Sequence, residues 1–259
     1  MTERILVFIP MYNCARQIGR VVAQLSGRIK PFIAEVLVLD NGSRDGGPDV
    51  ARDALQRIDG LSWIVARNRE NYNLGGSHKV AFDYAIDRGF SHVIVLHGDD
   101  QADIDDVVEA LQAGLHLRYD SLLGARFMRG SRLHGYSLYR WIGNYGLNVL
   151  TSAIVRHWIT DQGSGLNLYS TSYLASRFYN SFHDNLSFPA EMLYQSIFAG
   201  ATFRFFPISW REEDQASNAK PIRQALQILN IAWNGKRIFS APGDGMTLRG
   251  RGFDILYKS

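Results

Sequence analysis

Short apolar runs alternate with amphipathic segments through the first half of this chain. The apolar runs are residues 5–9, 36–39, 61–66, 93–96 and 121–124, and helical spacing is seen in between, over 15–27, 50–58, 76–88 and 104–117. Strands buried on both faces read as continuous apolar runs, and strands alternating with helices predict a parallel sheet covered on both sides. The predicted fold class is therefore α/β and Rossmann-like, with ligands bound outside the carboxyl ends of the strands.

Composition excludes several classes of protein. The 259 residues suit one large domain or two small ones, and 46% hydrophobic with 20% charged residues is an ordinary globular balance. A net charge of +3, without a run of Lys or Arg, provides no basic arm for nucleic acid. The single Cys14 excludes an internal disulfide. Because we find neither a signal peptide nor an apolar stretch of about 18 residues, we expect a cytoplasmic protein, with peripheral contact at the cytoplasmic membrane face as the alternative.

The second half of the chain is less regular. It predicts an aromatic-rich helix over 136–158, a strand at 166–169, a helix at 189–199, a strand at 202–210, a polar loop at 211–219 and an amphipathic helix at 221–233. We predict one domain over residues 1–220, with a C-terminal helix and basic tail over 221–259. The helix at 221–233 either packs on the core or lies on a membrane surface, and core packing is the commoner arrangement.

Polar residues follow the predicted strands, where the carboxyl ends of a parallel sheet meet. They are Pro10, Tyr12 and Asn13 after the first strand, Asp40, Gly42 and Ser43 after the second, Asn68 after the third, and residues 97–101 after the fourth. A carboxylate at the position of Asp40 can accept hydrogen bonds from a nucleobase or a ribose. An Asx-turn or a helix N-cap is the structural alternative for the same residue.

A pair of glycines precedes the predicted helix that contains Lys79. Glycine permits close backbone approach and a helix N-terminus attracts phosphate, so Gly75 and Lys79 are candidate phosphate-binding residues. The spacing before Lys79 is not that of a P-loop. Loop closure, with Ser77 as the cap, is the alternative.

The segment HGDDQAD, residues 97–103, ends the fourth apolar run in a cluster of polar groups. His97, Asp99 and Gln101 alternate there, and oxygen ligands at this spacing suit Mg²⁺ or Mn²⁺, which keep substrate phosphates as further ligands. The alternative is an acidic helix start, which accounts for Asp103 better than for Asp99. Asp100 lies between the two interpretations and has no assigned role.

Further candidates lie in the second half. Arg126 and Arg140 are set among aromatic residues and either clamp a phosphate or lie on aromatic rings in a solvated loop. Glu191, in an apolar context, is either a catalytic or orienting group or a first-turn helix charge. The polar loop at 211–219 and the residue after it carry Arg211, Ser217 and Lys220.

Three other enzyme classes are not supported. The histidines other than His97 lack metal-binding spacing, and no G-x-S-x-G elbow of a hydrolase is present. The segment after the first run, PMYNCARQIG, has only one of the glycines of a dinucleotide-binding fingerprint.

The order of these motifs is more specific than any one of them. Pro10-x-Tyr12-Asn13, LDNGSRDG at 39–46, Asn68, the Gly75-Gly76 pair and the acidic element at 97–101 resemble the nucleotide-sugar domain of family 2 glycosyltransferases, which adopt the GT-A fold. HGDDQAD, GARF, DQGSGLNLYS, FPAEML and the loop ending in SNAK are similar to the polyprenyl-phosphate sugar synthase branch, typified by dolichyl-phosphate mannose synthase. The resemblance covers about residues 4–225.

The resemblance implies a role for each matching position. Around the donor nucleotide it implies Pro10, Tyr12, Asn13, Asp40, Gly42, Ser43, Asn68, Gly75, Lys79 and Gly98, with Asp40 on the nucleobase. The branch's metal element reads D-x-D-x-Q, so Asp99 and Gln101 would bind Mg²⁺ or Mn²⁺, and His97, a further candidate ligand, replaces the first acid. The acceptor phosphate would meet Arg126, Arg140 and Ser217. The catalytic residues implied are Asp99, Glu191, Arg211 and Lys220.

The reaction implied is inverting transfer of a sugar from a UDP- or GDP-sugar to a polyprenyl phosphate. Hydroxyl-acceptor members take a general base from a Glu-Asp pair, and here Met192 follows Glu191, so the pair is absent. A phosphate acceptor is already ionised and needs no base, which favours the lipid phosphate. Two alternatives stay open: transfer to a hydroxyl of a cell-surface glycan, and a non-catalytic nucleotide-sugar-binding protein. The sequence selects neither the sugar, nor the base, nor an oligomeric state.

Overall fold

A computed structural model of the chain describes residues 3–213, 221–239 and 251–259. The strands are β1 (Ile5–Met11), β2 (Ile33–Asp40), β3 (Trp63–Asn68), β4 (His92–Leu96), β5 (Ser121–Ala125), β6 (Arg132–His134), β7 (Leu166–Ser170), β8 (Phe203–Pro207), β9 (Ser209–Arg211) and β10 (Phe253–Lys258). The helices are α1 (Ala15–Ala23), α2 (Gly47–Leu55), α3 (Asn73–Asp87), α4 (Val108–Gln112), α5 (Leu138–Val155), α6 (Thr171–Leu174), α7 (Phe188–Ala199) and α8 (Pro221–Phe239). Strands and helices alternate from β1 to β5, as the apolar pattern predicts.

Eight of the strands form one sheet, in the order β10-β3-β2-β1-β4-β7-β5-β8, and β6 pairs with β9 in a separate two-stranded ladder. Strands β1 to β4 are parallel to one another. In contrast, β7 runs antiparallel between β4 and β5, and β10 runs antiparallel along β3. The predicted α/β class, with a mostly parallel sheet, is confirmed.

Each face of the sheet is covered by its own apolar core. Val7 and Ile9 of β1 face the core completed by α1, α2 and α4, while Leu6 and Phe8 face the core completed by α3, α7 and α8. Side chains alternate in this way because successive residues of a strand point to opposite faces. All four are fully buried, which is why the central strand reads as an unbroken apolar run.

The observed elements differ from the predicted ones mainly after β4. The strand predicted at 202–210 is two strands, β8 and β9, and β9 leaves the main sheet to pair with β6. The helix predicted at 104–117 is broken: α4 ends at Gln112, and Gly114 adopts a left-handed φ of 62°. Glycine takes this conformation at little cost, so the helix ends there.

The C-terminal residues also contribute to the sheet. Helix α8 continues to Phe239, beyond the predicted end at residue 233. Strand β10 then pairs with β3, with Phe253 opposite Asn68. The sheet therefore includes strands from both sides of the boundary predicted at residue 220.

Candidate active site

The carboxyl ends of β1, β2, β3 and β4 meet along one side of the sheet, which we call the polar edge. Asn41 donates its amide to the carbonyl of Met11 at 2.9 Å, and Gly98 donates its amide to the carbonyl of Pro10 at 3.0 Å. These bonds hold the turns after β2 and β4 against the end of β1. The residues predicted to bind a nucleotide at these strand ends are therefore close in space.

Gly98 is the closest point of approach between these turns. A Cβ atom at this residue would lie 2.9 Å from the carbonyl oxygen of Pro10 and 3.3 Å from Cys14 Sγ. The first distance is too short for a carbon, so only glycine fits without moving the backbone of β1. The residue before Asp99 thus sets how near the acidic element lies to the first strand.

Asp40 is fully buried at the end of β2. One of its oxygens accepts the amide of Ser43 at 3.0 Å, and this bond forms the Asx-turn predicted as the structural alternative. The other oxygen accepts Arg67 Nε at 2.7 Å. Gly42, inside this turn, has a φ of 86°, and the Ser43 hydroxyl accepts the amide of Asn13 at 2.8 Å. A carboxylate has about four acceptor positions, so Asp40 keeps capacity for a ligand donor.

Asn68 carries an unsatisfied group at the polar edge. Its Nδ2 donates to Asn41 Oδ1 and to Ser77 Oγ, both at 2.9 Å. Its Oδ1 is buried and has no hydrogen-bond partner among the described residues. Buried acceptors are normally paired, so this oxygen fits a donor group from a bound ligand. Tyr12, 45% exposed, supplies an aromatic ring at the same edge.

Asp99 and Gln101 follow β4 and are both partly exposed. Burial raises the pKa of Asp99 to about 6, and its Oδ1 accepts the amide of Gln101 at 3.3 Å. Among the described residues no Lys, Arg or His pairs with this carboxylate, so its negative charge lacks a counter-charge. The described residues hold no group of three or more His, Cys, Asp or Glu that suits a metal. One carboxylate and one amide fit Mg²⁺ or Mn²⁺ only with ligand phosphates completing the shell.

The position of His97 differs from the one expected of a metal ligand. Its imidazole packs inward: a Cβ at Gly165 would lie 3.0 Å from its Cγ, and the ring of His78 is 5.8 Å away, edge-on. Its Nε2 is buried without a partner among the described residues, and burial lowers its pKa to about 4. The ring therefore belongs to the apolar layer below the polar edge, and Asp99 with Gln101 remain as the candidate ligands.

Arg211, a predicted catalytic residue, lies beside the acidic element. Its amide donates to the carbonyl of Gln101 at 2.8 Å, and its Nη2 is 4.0 Å from Asp100 Oδ1. A β-bridge between Ala102 and Trp210 fixes the same two segments. The other two predicted residues of this loop, Ser217 and Lys220, lie outside the described residues.

Gly75 and Lys79 are engaged inside the protein, which corrects their predicted role in phosphate binding. The amide of Gly75 donates to the carbonyl of Asp184 at 2.6 Å, so the start of α3 is already capped. The ammonium of Lys79, 1% exposed, donates to Asp184 Oδ1 at 2.9 Å and also to the carbonyl of Phe182. Burial lowers the pKa of Lys79. Both residues hold the segment before α7 against α3.

Glu191 is buried in the first turn of α7 and pairs with a residue that sequence reasoning missed. Its Oε1 lies 2.7 Å from His183 Nδ1, and its Oε2 accepts the His183 amide at 3.0 Å. Burial raises the pKa of Glu191, and the His183 side chain is 56% exposed. No spacing in the sequence links two residues across the start of a helix in this way.

Arg126 is paired and enclosed by aromatic rings. Its Nε and Nη2 each lie 2.8 Å from an oxygen of Asp161, a two-point contact. Its guanidinium carbon lies 4.9 Å from the ring centre of Trp210 and 5.9 Å from that of Tyr136. Arg126 therefore lies among aromatic rings and also contacts an anion. That anion is Asp161 of the same chain.

Arg140 lies in the first turn of α5 and is far more exposed. Its Nη1 is 2.8 Å from Glu212, and its side chain is 45% exposed. Ion pairs that are open to solvent are weak.

Helix α5 exposes a long apolar surface around Arg140. The exposed large side chains, which we call the apolar face of α5, are Leu138, Tyr139, Trp141, Ile142, Tyr145, Val149 and Leu150. Helix α8, which packs on α5, adds Ile222, Leu226 and Trp233. Large exposed apolar patches mark interaction surfaces. Within the described part of the chain, no helix combines the length and hydropathy needed to span a bilayer.

Two proteins of known activity are similar to this chain in sequence. A UDP-N-acetylglucosamine–dolichyl-phosphate N-acetylglucosaminyltransferase of Methanococcus voltae is 22% identical, over 66% of this chain and 70% of that protein. A polyprenol monophosphomannose synthase of Mycolicibacterium smegmatis is 26% identical, over 67% of this chain and 64% of that protein. The chain thus spans about two thirds of the length of the curated relatives it matches.

A solved structure shares the fold. Glucosyl-3-phosphoglycerate synthase from Mycobacterium tuberculosis, in complex with Mn²⁺, UDP-glucose and phosphoglyceric acid, superposes with a TM-score of 0.60 at 14% identity. The match covers 99% of this chain and 89% of that one. At this identity the likeness concerns the fold.

The family model of glycosyl transferase family 2 matches residues 6–178. That region is more than half of the chain, and it runs from β1 through the whole polar edge to the loop after α6. The motif order and the fold agree with it, and this chain belongs to glycosyl transferase family 2.

Proposed function

We propose that this chain is an inverting glycosyltransferase that moves a sugar from a nucleoside-diphosphate sugar to a polyprenyl phosphate. The observation that carries the proposal is the position of Arg140, an exposed cation inside the apolar face of α5. A phosphate group on a long hydrocarbon chain needs an anion site next to an apolar surface. The two relatives act, by name, on dolichyl phosphate and on a polyprenol, which supports the same acceptor class.

The donor would bind at the polar edge. Asp40 and Asn68 offer acceptor oxygens to a nucleobase or ribose, and Tyr12 offers an aromatic surface. Pro10, Asn13, Gly42, Ser43 and Gly98 would shape the backbone of the site. Nothing at the edge separates uridine from guanosine.

Asp99 and Gln101 would hold a divalent cation together with the donor diphosphate. A bound Mg²⁺ or Mn²⁺ would supply charge stabilisation for the leaving diphosphate. The solved synthase that shares the fold contains Mn²⁺ with a UDP-sugar, which supports this choice of ion for the chain.

In the transfer step an oxygen of the acceptor phosphate attacks the anomeric carbon from the face opposite the diphosphate. The bond from that carbon to the diphosphate oxygen breaks, and its electron pair stays on the leaving group. Arg211, beside the acidic element, would stabilise the negative charge that develops there, with Lys220. The acceptor oxygen is already ionised, so this chain needs no group to remove a proton.

The acceptor phosphate would meet Arg140 first, with Arg126 behind it and Ser217 from the adjacent loop. Arg140 would exchange its contact with Glu212 for the phosphate. The hydrocarbon chain would follow the apolar face of α5, and contact of α5 and α8 with a membrane surface would bring the lipid to it.

Transfer to a glycan hydroxyl is the second candidate, and one observation favours it. The imidazole of His183, oriented by the buried Glu191, has a solvent-facing nitrogen that could accept the proton of an acceptor hydroxyl. This pair would replace the missing Glu-Asp base.

A transfer assay tests the proposal. Purified protein is incubated with UDP- and GDP-sugars and Mn²⁺ or Mg²⁺, with undecaprenyl phosphate in vesicles or with a soluble oligosaccharide. We expect labelled sugar in the organic phase, at the phosphate. Sugar found only on the oligosaccharide would replace the lipid acceptor by the glycan, and nucleotide binding without transfer to either would favour a non-catalytic protein.

A further inference from the structure

Asp100 lies between the two candidate metal ligands, Asp99 and Gln101, and its carboxylate contacts the first helix. Its carboxylate is 2% exposed and accepts Arg20 Nε at 2.6 Å and Gln24 Nε2 at 3.1 Å, both from α1 and the turn that follows it. A buried carboxylate is tolerated when it is paired and hydrogen-bonded, as this one is. Asp100 therefore ties the acidic element to the first helix.

The backbone of Asp100 is also unusual. Its φ is 60°, in the left-handed region that few residues other than glycine adopt. Such a conformation persists when the surroundings determine it, and here the side-chain bonds to Arg20 and Gln24 do so. The turn at Asp100 directs the chain from Asp99 into residues 101–106.

Residues 101–106 are in turn joined to β9. Arg211 donates its amide to Gln101, Ala102 bridges to Trp210, and the Ser209 amide donates to Asp106 Oδ2 at 2.5 Å. These contacts run along the full length of β9. The position of Arg211 is therefore fixed by the same segment that Asp100 anchors.

The side chains of Asp100 and Arg211 are also close to each other. Arg211 Nη2 lies 4.0 Å from Asp100 Oδ1, and the Arg211 side chain is 35% exposed. A guanidinium held beside a buried carboxylate loses less freedom when it later meets an anion. Because Arg20 and Gln24 already bond the carboxylate, Arg211 is oriented by Asp100 without being locked by a close ion pair.

We propose that Asp100 is a positioning residue that orients Arg211 for the leaving diphosphate. This inference rests on the proposed function, in which Arg211 stabilises that diphosphate. It assigns a role to the residue between the two candidate metal ligands. Asp100 touches neither the donor nor the metal; it acts through Arg211.

The variant Asp100→Asn tests this inference with little change in shape. Asn is among the non-glycine residues most often found in the left-handed region, so the turn is retained. The charge is lost, and so is one of the two oxygens that accept from Arg20 and Gln24. With Mn²⁺ present, we expect calorimetry to show about tenfold weaker binding of UDP or GDP, whichever the wild type binds, by analogy with a lost charge-assisted contact. Binding of the matching nucleoside monophosphate, which lacks the second phosphate, should change less than about twofold.

Two further variants separate positioning from a general structural defect. Asp83→Asn is the matched control, because Asp83 is also a largely buried carboxylate paired with an arginine, Arg177 at 2.6 Å, but lies on α3. We expect it to leave both affinities unchanged. In an Arg211→Ala background, Asp100→Asn should have no further effect on diphosphate binding, because the residue through which it acts is absent.

Three results would decide against the inference. Wild-type diphosphate affinity in Asp100→Asn, or equal losses for mono- and diphosphate, would overturn it while leaving the proposed function in place. A full loss on top of Arg211→Ala would show that Asp100 acts by another route. Wild-type protein that binds neither diphosphate would remove the proposed function itself, and this inference with it.

Discussion

The polar edge and the apolar face of α5 are built in opposite ways. At the polar edge, main-chain bonds such as that from Gly98 to Pro10 hold the turns after buried parallel strands at fixed separations. On α5, residues 137–143 are all exposed, and large apolar side chains point away from the protein. The first region is assembled by its own fold, whereas the described residues leave the apolar side chains of the second uncovered.

The two regions also differ in the sign of their charged side chains. The polar edge carries Asp40 and Asp99, the second without a cationic partner among the described residues. The region around α5 carries Arg126 and Arg140, each paired with an acid of the same chain. A site short of positive charge suits a metal with a nucleotide, and the exposed cation Arg140 suits a second phosphate.

Loss of the Asp99 charge should have the largest effect, since Asp99 is the carboxylate proposed to hold the cation at the polar edge. We expect Asp99→Asn to lower kcat/KM by at least about a hundredfold, because charge stabilisation of the leaving group is lost. Asp103→Asn is the control, since Asn caps the following turn as well as Asp does. The quantity to measure is the steady-state transfer rate at several Mn²⁺ concentrations. Ordinary turnover by Asp99→Asn would refute the metal role.

A charge on the apolar face of α5 should have a smaller effect, confined to the acceptor. We expect Ile142→Glu to weaken binding to vesicles of phosphatidylcholine and phosphatidylglycerol by about tenfold, because a buried apolar contact becomes a charge. Nucleotide binding at the polar edge should be unchanged. Leu117→Glu is the matched control, because Leu117 is similarly exposed, at 65% against 58%, but lies outside α5 and α8. Vesicle sedimentation gives the comparison, and equal loss in both variants would argue against a specific surface.

The smallest effect concerns His78, whose ring lies in the apolar layer next to the polar edge. It lies 5.8 Å from the ring of His97 and 5.2 Å from that of Phe188 in α7. Burial lowers its pKa to about 3, so the folded state binds fewer protons than the unfolded state below pH 6.5, and stability falls as the pH drops. We expect this one histidine to cost about 0.7 kcal/mol between pH 7 and pH 6.

The variant His78→Phe should lose that part of the pH dependence while keeping an aromatic ring beside Phe8 and Phe188. Urea unfolding at pH 7 and pH 6 measures the difference. Identical pH dependence in the two proteins would mean that His78 is more hydrated than its contacts indicate.

Sequence reasoning worked best where structure is local. Apolar runs located β1 to β5, and the turn residues after them located the polar edge, because both depend on neighbouring residues. Asp99 and Arg211 were assigned to one reaction only through the family resemblance, since the two lie on segments far apart in the chain. The fold class and the family were therefore readable in the sequence.

Burial by distant segments could not be read in the same way. Lys79 was predicted to meet a phosphate, but the carbonyl of Phe182 and the side chain of Asp184, over a hundred positions later, enclose it. His97 was assigned to a metal, but Gly165, a residue of another loop, lies against its ring. These outcomes depend on which surfaces meet in the folded chain, and no spacing along the sequence reports that.

The pairing of strand β10 with β3 determines when the outer side of β3 is covered during synthesis. The amide of Trp63, at the start of β3, donates to Ser259 Oγ, a separation of 196 positions. Contacts between such distant residues form late, because the intervening chain must first be made and brought round. On the ribosome, β1 to β4 would emerge long before the outer side of β3 is covered. For that interval β3 presents the kind of unpaired edge through which separate molecules join their sheets.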